Sequence, residues 1–255
     1  RKQVHGGEVE FRNEQFEYLA ALKDEYLAAG LPVISMDTKK KEHLGNLYRD
    51  GRLFTTDDIE VYDHDFVSLT EGVLIPHGLY DVARNVGHIN LGLSHDTSEF
   101  ACDSLGWWWQ RSLRYHYPGA ACMLLLCDAG GSNDARHWIF KEDLQKLSDH
   151  LGLGITVAHY PPYCSRYNPA DHRLFPHVTR ALQGVIFRSV DLVTRMIRNT
   201  RTSTGLSVTA HIMRKFYATK RKATQLFLDT MPVIFSDFLP QWNYTVVPSE
   251  LSGSY

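Results

Sequence analysis

The sequence predicts an α/β fold, a central sheet of mixed direction flanked by helices. Three observations predict it. Short apolar runs of strand length recur, and most are followed by stretches with helical spacing. Two earlier runs, separated only by a tight turn, read as antiparallel neighbours. The composition is that of a folded chain: 255 residues, 44% hydrophobic and 22% charged, with enough apolar material for a core and too little net charge for disorder over most of its length. The length suits one large domain or two modest ones.

The elements follow in order. Residues 11–29 read as an amphipathic helix, with Phe16, Leu19, Tyr26 and Leu27 near helical spacing and Gly30 as its stop. After Pro32, the run Val33-Ile34-Ser35-Met36 reads as a buried strand with Asp37 at its C-terminal tip. Residues 45–76 are loop-rich with short strands. Residues 78–84 and 87–93 read as two strands joined by the Asn85-Val86-Gly87 turn. Residues 98–114 read as a helix carrying Trp107, Trp108 and Trp109, which pack a core more readily than they stack on bases. A second apolar strand, 121–127, ends in Asp128. The turn at Gly130-Gly131-Ser132-Asn133 leads to a helix at 134–150, ended by Gly152 and Gly154. A third strand, 155–159, runs into Tyr160-Pro161-Pro162. Asn168 then caps a helix that has Pro169 at its first position and Asp171 in its first turn. Pro176 removes a hydrogen bond to residue 172, so a kink or early stop is expected directly behind Asp171. The expected organisation is a helical lead-in over 1–30, a main domain over 31–225 and a tail over 226–255 packing on it.

Several classes are excluded. No stretch approaches the ~18 uninterrupted apolar residues of a membrane span, and no apolar leader follows the charged start. The first residue is Arg1, which suggests a piece of a longer chain. Cys102, Cys122, Cys127 and Cys164 form no CxxC pair and read as free thiols of a reducing compartment. Neither phosphate-loop motif nor a GxSxG elbow is present.

The net charge of −2 conceals a split. From Arg173 to Lys222 there are eleven basic residues and one acid, Asp191, a net of +10; the remainder carries −12. Such asymmetry suggests an anionic partner for one face, unless folding interleaves the two sets.

Asp37 and Asp128 sit where apolar strands stop, and ligand sites in open α/β sheets lie outside strand C-termini. Asp171 can supply a third carboxylate. Three convergent carboxylates are hard oxygen ligands for Mg²⁺ or Mn²⁺, and two such ions serve phosphoryl transfer. Each has a bland alternative: Asp37 pairing with Lys39-Lys40-Lys41, Asp128 bonding the Gly-Gly turn, Asp171 favouring its helix N-terminus.

Several segments resemble one known family. Val33 to Glu42, Ser94 to Ala101, Asp128-Ala129-Gly130-Gly131-Ser132-Asn133, His172-Arg173-Leu174-Phe175, Thr200 to Val208 and Trp242-Asn243-Tyr244 resemble, in order, the Rhodopirellula-type DDE transposases of bacterial insertion sequences. His159 to Pro169, with its Pro161-Pro162 and Asn168-Pro169, is similar to a segment shared with mariner-like transposases. The resemblance spans about 11–245. It implies an RNase H-like fold, metal-dependent cutting and joining of DNA ends, and an N-terminal helix-turn-helix part, which is expected to lie outside this sequence. By position, Asp37 and Asp128 match the first two acids. The third is Glu in the family and Asp171 here, one methylene shorter; mariner-like enzymes use Asp in that role.

The resulting expectation is a transposase catalytic core working with two Mg²⁺ or Mn²⁺ ions as a homo-oligomer on DNA, in the bacterial cytoplasm at the nucleoid and not in a membrane. Lys39, Lys40, Lys41, Arg173, Arg195, Arg198, Arg201, Arg214, Lys215, Lys220, Arg221 and Lys222 are the candidate DNA contacts. The alternatives are a decayed or domesticated DNA-binding protein that kept the fold, motivated by Asp171 and Pro176, and a stand-alone nuclease acting on RNA–DNA hybrids.

Overall fold

A computed structural model of the chain describes residues 9–51, 61, 70–131 and 134–249. The elements are α1 (Arg12–Ala28), β1 (Val33–Thr38), β2 (Glu42–Leu44), β3 (Gly72–Asp81), β4 (Val86–Gly92), α2 (Ser98–Arg111), β5 (Cys122–Asp128), α3 (Trp138–Leu151) and β6 (Gly154–Tyr160). A π-helical turn (Ala170–Leu174), α4 (Phe175–Leu182), α5 (Val190–Arg198), β7 (Ser207–Met213), α6 (Gln225–Thr230), β8 (Val233–Phe235) and β9 (Asn243–Val246) complete them. The strands form one mixed sheet in the order β7-β4-β3-β1-β5-β6-β9-β8, with β2 paired to β3. β1, β5 and β6 run parallel, β3 is antiparallel to both β1 and β4, and β9 is antiparallel to β6.

β1 lies at the centre because it is apolar on both faces. Ile34 and Met36 face a core built with α2 and α3, including Trp108, Leu105, Phe140 and Leu144, all buried. Val33 belongs to the opposite face, where α1 contributes Leu19. The neighbouring part of that face is covered by the π-helical turn, α4 and α5 through Leu174, Phe175, Val178 and Ile197. Both faces are therefore covered, as a sheet with parallel central strands requires.

The sequence located the central strands well and some boundaries less well. The first hairpin strand is longer and begins earlier, the second is offset by one residue, and their turn is Val82 to Asn85, with Asn85 in the left-handed region at φ 52°. The helix expected at 134–150 begins at Trp138, because Asp134 instead folds the chain back, accepting from the Arg136 N–H at 2.9 Å. Pro176 does not stop its helix. The chain widens into the π-helical turn, the Phe175 N–H bonds to the Ala170 carbonyl, and α4 continues with Pro176 at its start. A wider turn accommodates the missing donor that an α-helical turn would expose. Among the described residues the four cysteines are unpaired, and Trp108 and Trp109 are core residues while Trp107 is partly buried. Part of the loop-rich stretch and of the Gly130–Asn133 turn lies outside the described residues. No helix among those described is long and apolar enough to cross a membrane.

Candidate active site

Met36 of β1 pairs with Cys127 of β5 in parallel register. The next residue of each strand is Asp37 and Asp128, so two neighbouring strands end in carboxylates side by side. Chain geometry alone forces the pair, because parallel strands deliver equivalent positions to the same sheet edge. Both line one cleft of about 460 Å³ together with Thr38, Lys39 to Lys41, Asp96, Gly130 and Gly131.

Asp171 comes from the π-helical turn, and a buried polar joint docks that turn onto β1. Ser35 donates its hydroxyl to Oδ1 of Asn168 and accepts from the Ala170 N–H at 2.9 Å. The Asn168 amide donates to the Met36 carbonyl at 3.2 Å and to Oδ1 of Asp128 at 3.1 Å. The Asn168 carbonyl accepts from the Asp171 N–H at 3.0 Å. One buried side chain thus touches β1, the second acid and the segment carrying the third. Burial without these bonds would cost about 1–3 kcal/mol for each stranded group, so the joint is closed only when the turn is seated. Asp171 lies close enough to Asp37 for the two carboxyl groups to act on each other.

The electrostatics follow. Asp37 is pushed up to about 8, by burial first and then by the charges of Asp128 and Asp171; the Thr38 N–H, donating at 2.7 Å, opposes this. Asp128 is pushed up to about 6 by burial, with the Asn168 bond opposing and Asp171 adding repulsion. Asp171 is raised by burial, with the neighbouring Asp37 carboxyl opposing. Like charges in a half-dry cleft favour protonation. Behind Asp128, the neutral ring of His159 donates from Nδ1 to the Asp128 carbonyl at 2.9 Å and accepts at Nε2 from the Tyr244 hydroxyl at 3.1 Å. Burial holds that imidazole down at about 4, so it anchors β5 as a neutral ring.

The donor set fits a hard divalent cation. It offers carboxylate oxygens whose mutual repulsion a cation relieves. Among the described residues no three His, Cys, Asp or Glu side chains are gathered tightly enough to enclose an ion as they stand. The acids flank an open cleft rather than forming a closed cage.

The basic candidates divide. Lys40 and Lys41 are exposed on the cleft rim, whereas Lys39 is tied to Glu42, which also binds Arg49. Arg198 donates to the Ala210 carbonyl, and Arg201 to the carbonyls of Arg198, Thr200 and Val208. Lys215 is paired with Glu99 and Asp103, and Arg221 with Asp143 and Glu99. These four are structural ties. Arg173, Arg195, Arg214, Lys220 and Lys222 are exposed, and the first two lie on the π-helical turn and α5, on other elements than the last three. The +10 stretch is therefore not one basic face.

Sequence reasoning missed four residues of the site: Ser35, Asp96, His159 and the joint role of Asn168, which it read only as a cap. Asp96 accepts from the Thr38 hydroxyl at 3.2 Å and adds repulsion at Asp37. Each lies inside a segment that the family resemblance singled out, and that was the available signal.

The model of one domain family, the Rhodopirellula transposase DDE domain, matches residues 1–248. The chain belongs to that family. No curated protein is significantly similar to it. Among solved structures, the fold of this Rhodopirellula-type DDE domain is similar to that of the mariner Mos1 paired-end complex with Mg, at 16% identity and a TM-score of 0.50, covering 76% of this chain and 56% of that one. The Mos1 transposase paired-end complex with left transposon end gives 17% identity, a TM-score of 0.49, and coverages of 76% and 57%. The chain thus spans under three-fifths of the Mos1 chains. The first of these likenesses shows the fold, an RNase H-like one, and the family match makes this a DDE-type transposase domain.

Proposed function

We propose that this domain is the catalytic core of a cut-and-paste DNA transposase, cleaving and joining DNA at transposon ends, with Asp37, Asp128 and Asp171 holding two Mg²⁺ or Mn²⁺ ions. One observation supports the reading: Asp37 and Asp128, at the ends of neighbouring strands, line one cleft, and the charge of Asp171, from the π-helical turn, raises the pKa of both. Bound there, divalent ions supply charge neutralisation at the scissile phosphate and a more acidic attacking oxygen. The chain's own residues do the rest. Thr38 and Asn168 each fix one oxygen of an acid, leaving the second as a ligand. Lys40, Lys41 and Lys220 hold phosphates at the rim and fix the strand's position without reading sequence. The domain boundaries at about residues 31 and 225, a homo-oligomer on paired ends and a place at the bacterial nucleoid belong to the same proposal.

The test is strand cleavage and joining by the full-length protein on its own terminal repeats in Mg²⁺. Asp128→Asn should abolish both; unchanged activity would sink the assignment. A second reading, a DNA-binding protein that kept the fold without the chemistry, draws on Asp171 being one methylene shorter than Glu. Weak Mn²⁺ binding that Asp171→Glu restores would favour it.

A further inference from the structure

Phe216 is 71% exposed, on a segment that is otherwise bolted down. The Ser94 hydroxyl donates to the Lys215 carbonyl at 3.4 Å and accepts from the Tyr217 N–H at 3.1 Å. His95 donates from Nδ1 to the Tyr217 carbonyl at 3.0 Å. Tyr217 is buried and donates to Asp103, and Lys215 pairs with Asp103 and Glu99. Phe216 therefore projects from a rigid ridge, with the His95 ring set edge-to-face against it at 5.4 Å and 89°.

Its surroundings choose the ligand. Asp96, next to its support His95, lines the cleft of Asp37 and Asp128. A second cavity of about 380 Å³ shares Asp96 and Gly131 with that cleft and is bordered by Lys220 and Arg221. The two form a trough from Lys40 and Lys41, past the acids, to Lys220. Arg214, Lys220 and Lys222 are exposed, and no ion pair among the described residues engages them. Phe216 lies four residues before Lys220, which borders the trough, in a segment that also carries exposed Arg214 and Lys222; an exposed ring among cations beside a trough is the arrangement that binds a single strand, with phosphates on the cations and a base on the ring.

We propose that Phe216 is a stacking platform for an unpaired base of the DNA strand that lies in the cleft, with Arg214, Lys220 and Lys222 holding the flanking phosphates. This inference rests on the DNA-processing reading above. It adds that the strand leaves the cleft unpaired on the Phe216 side, so the site engages DNA whose end is opened rather than a continuous duplex.

The experiment measures binding of this chain, by fluorescence anisotropy, to a labelled duplex with a short single-stranded overhang and to the blunt duplex. Phe216→Ala should weaken overhang binding roughly tenfold and leave blunt-duplex binding within twofold. Phe216→Trp should keep the affinity, and Phe216→Leu, which is apolar but has no ring, should behave like Ala. Moving one abasic site along the overhang should reveal one position at which parent and Phe216→Ala bind alike. Lys220→Ala should reduce the salt dependence by about one ion. Equal binding of parent and Phe216→Ala to every DNA, or a Leu variant that matches the parent, overturns the platform while leaving the DNA reading standing. A parent chain that binds neither DNA overturns both.

Discussion

Thr38 links two carboxylates through different atoms: its N–H donates to Asp37 and its hydroxyl to Asp96. The second bond fixes the residue whose backbone fixes the first acid, which makes Asp96 a positioning residue. Removing such outer partners of metal-holding groups typically costs 10- to 100-fold in activity or metal affinity. Asp96→Ala should therefore lower the rate of strand cleavage about 10- to 100-fold at saturating DNA, with little change in the DNA concentration needed for half-maximal rate. Asp96→Asn, which keeps the accepting oxygen, should retain most of it. Equal rates for the Ala variant and the parent would show that the Thr38 hydroxyl bond positions nothing. Asp37 and Asp128 were legible in the sequence because each ends an apolar run, a local pattern. Asp96 and Asn168 were not, because their partners lie 58 and 40 residues away and no local pattern encodes such a meeting.

At the scale of elements, the π-helical turn reaches its place because the sheet beneath it is bare. Gly78 pairs with Asp37 across β1 and β3, and a Cβ there would lie 2.2 Å from a ring carbon of Phe175. Gly87 meets Leu174 in the same way, at 2.3 Å. Two glycines thus let the segment bearing Asp171 settle against β3 and β4, on the side of the strand that bears Asp37. Gly78→Ala should push Phe175 outward, since a ring yields less than the end of a flexible chain. Overpacking of this kind costs about 1–3 kcal/mol, or a Tm lower by roughly 2–10 °C for a chain of this size, and it should also move Asp171 away from Asp37. The measurements are thermal unfolding and Mn²⁺ affinity, in which both should fall. A variant that loses stability but keeps its Mn²⁺ affinity would show that the turn can tilt without carrying Asp171 off. The sequence flagged Pro176 as a break; the structure answers with a widened turn, a choice set by the packing of Leu174 and Phe175, which one-dimensional spacing does not contain.

The molecule as a whole extends its sheet beyond the legible strands. β7 pairs with β4, and β9 with β6, both across long sequence separations. β7 runs directly into the basic pair Arg214-Lys215, and its pairing with β4 has no local signature. β3 and β4 lie towards one side of this sheet and bury two histidines beneath α2. His77 bonds the Ser104 hydroxyl through Nδ1 at 3.0 Å. His88 bonds the Thr209 hydroxyl through Nδ1 at 2.7 Å and stacks against Trp107 and Trp108. Among the described residues Nε2 of either ring has no partner, so a proton added there would be an unsolvated charge. Burial accordingly pushes both rings down to about 3, well below the ordinary ~6.5 that they recover on unfolding. Between those values the unfolded chain binds protons that the folded chain refuses, so this contribution is complete above about pH 6.5 and is lost progressively as pH falls towards 3. The cleft carboxylates, which retain protons in the fold, pull the opposite way and blur the profile of the whole protein. The difference between parent and His77→Gln isolates the histidine. Its stability advantage, measured by urea unfolding, should shrink by about 1 kcal/mol per pH unit between about pH 6.5 and pH 5. A gap that stays constant over that range would mean that the ring is protonated, or solvated, inside the fold.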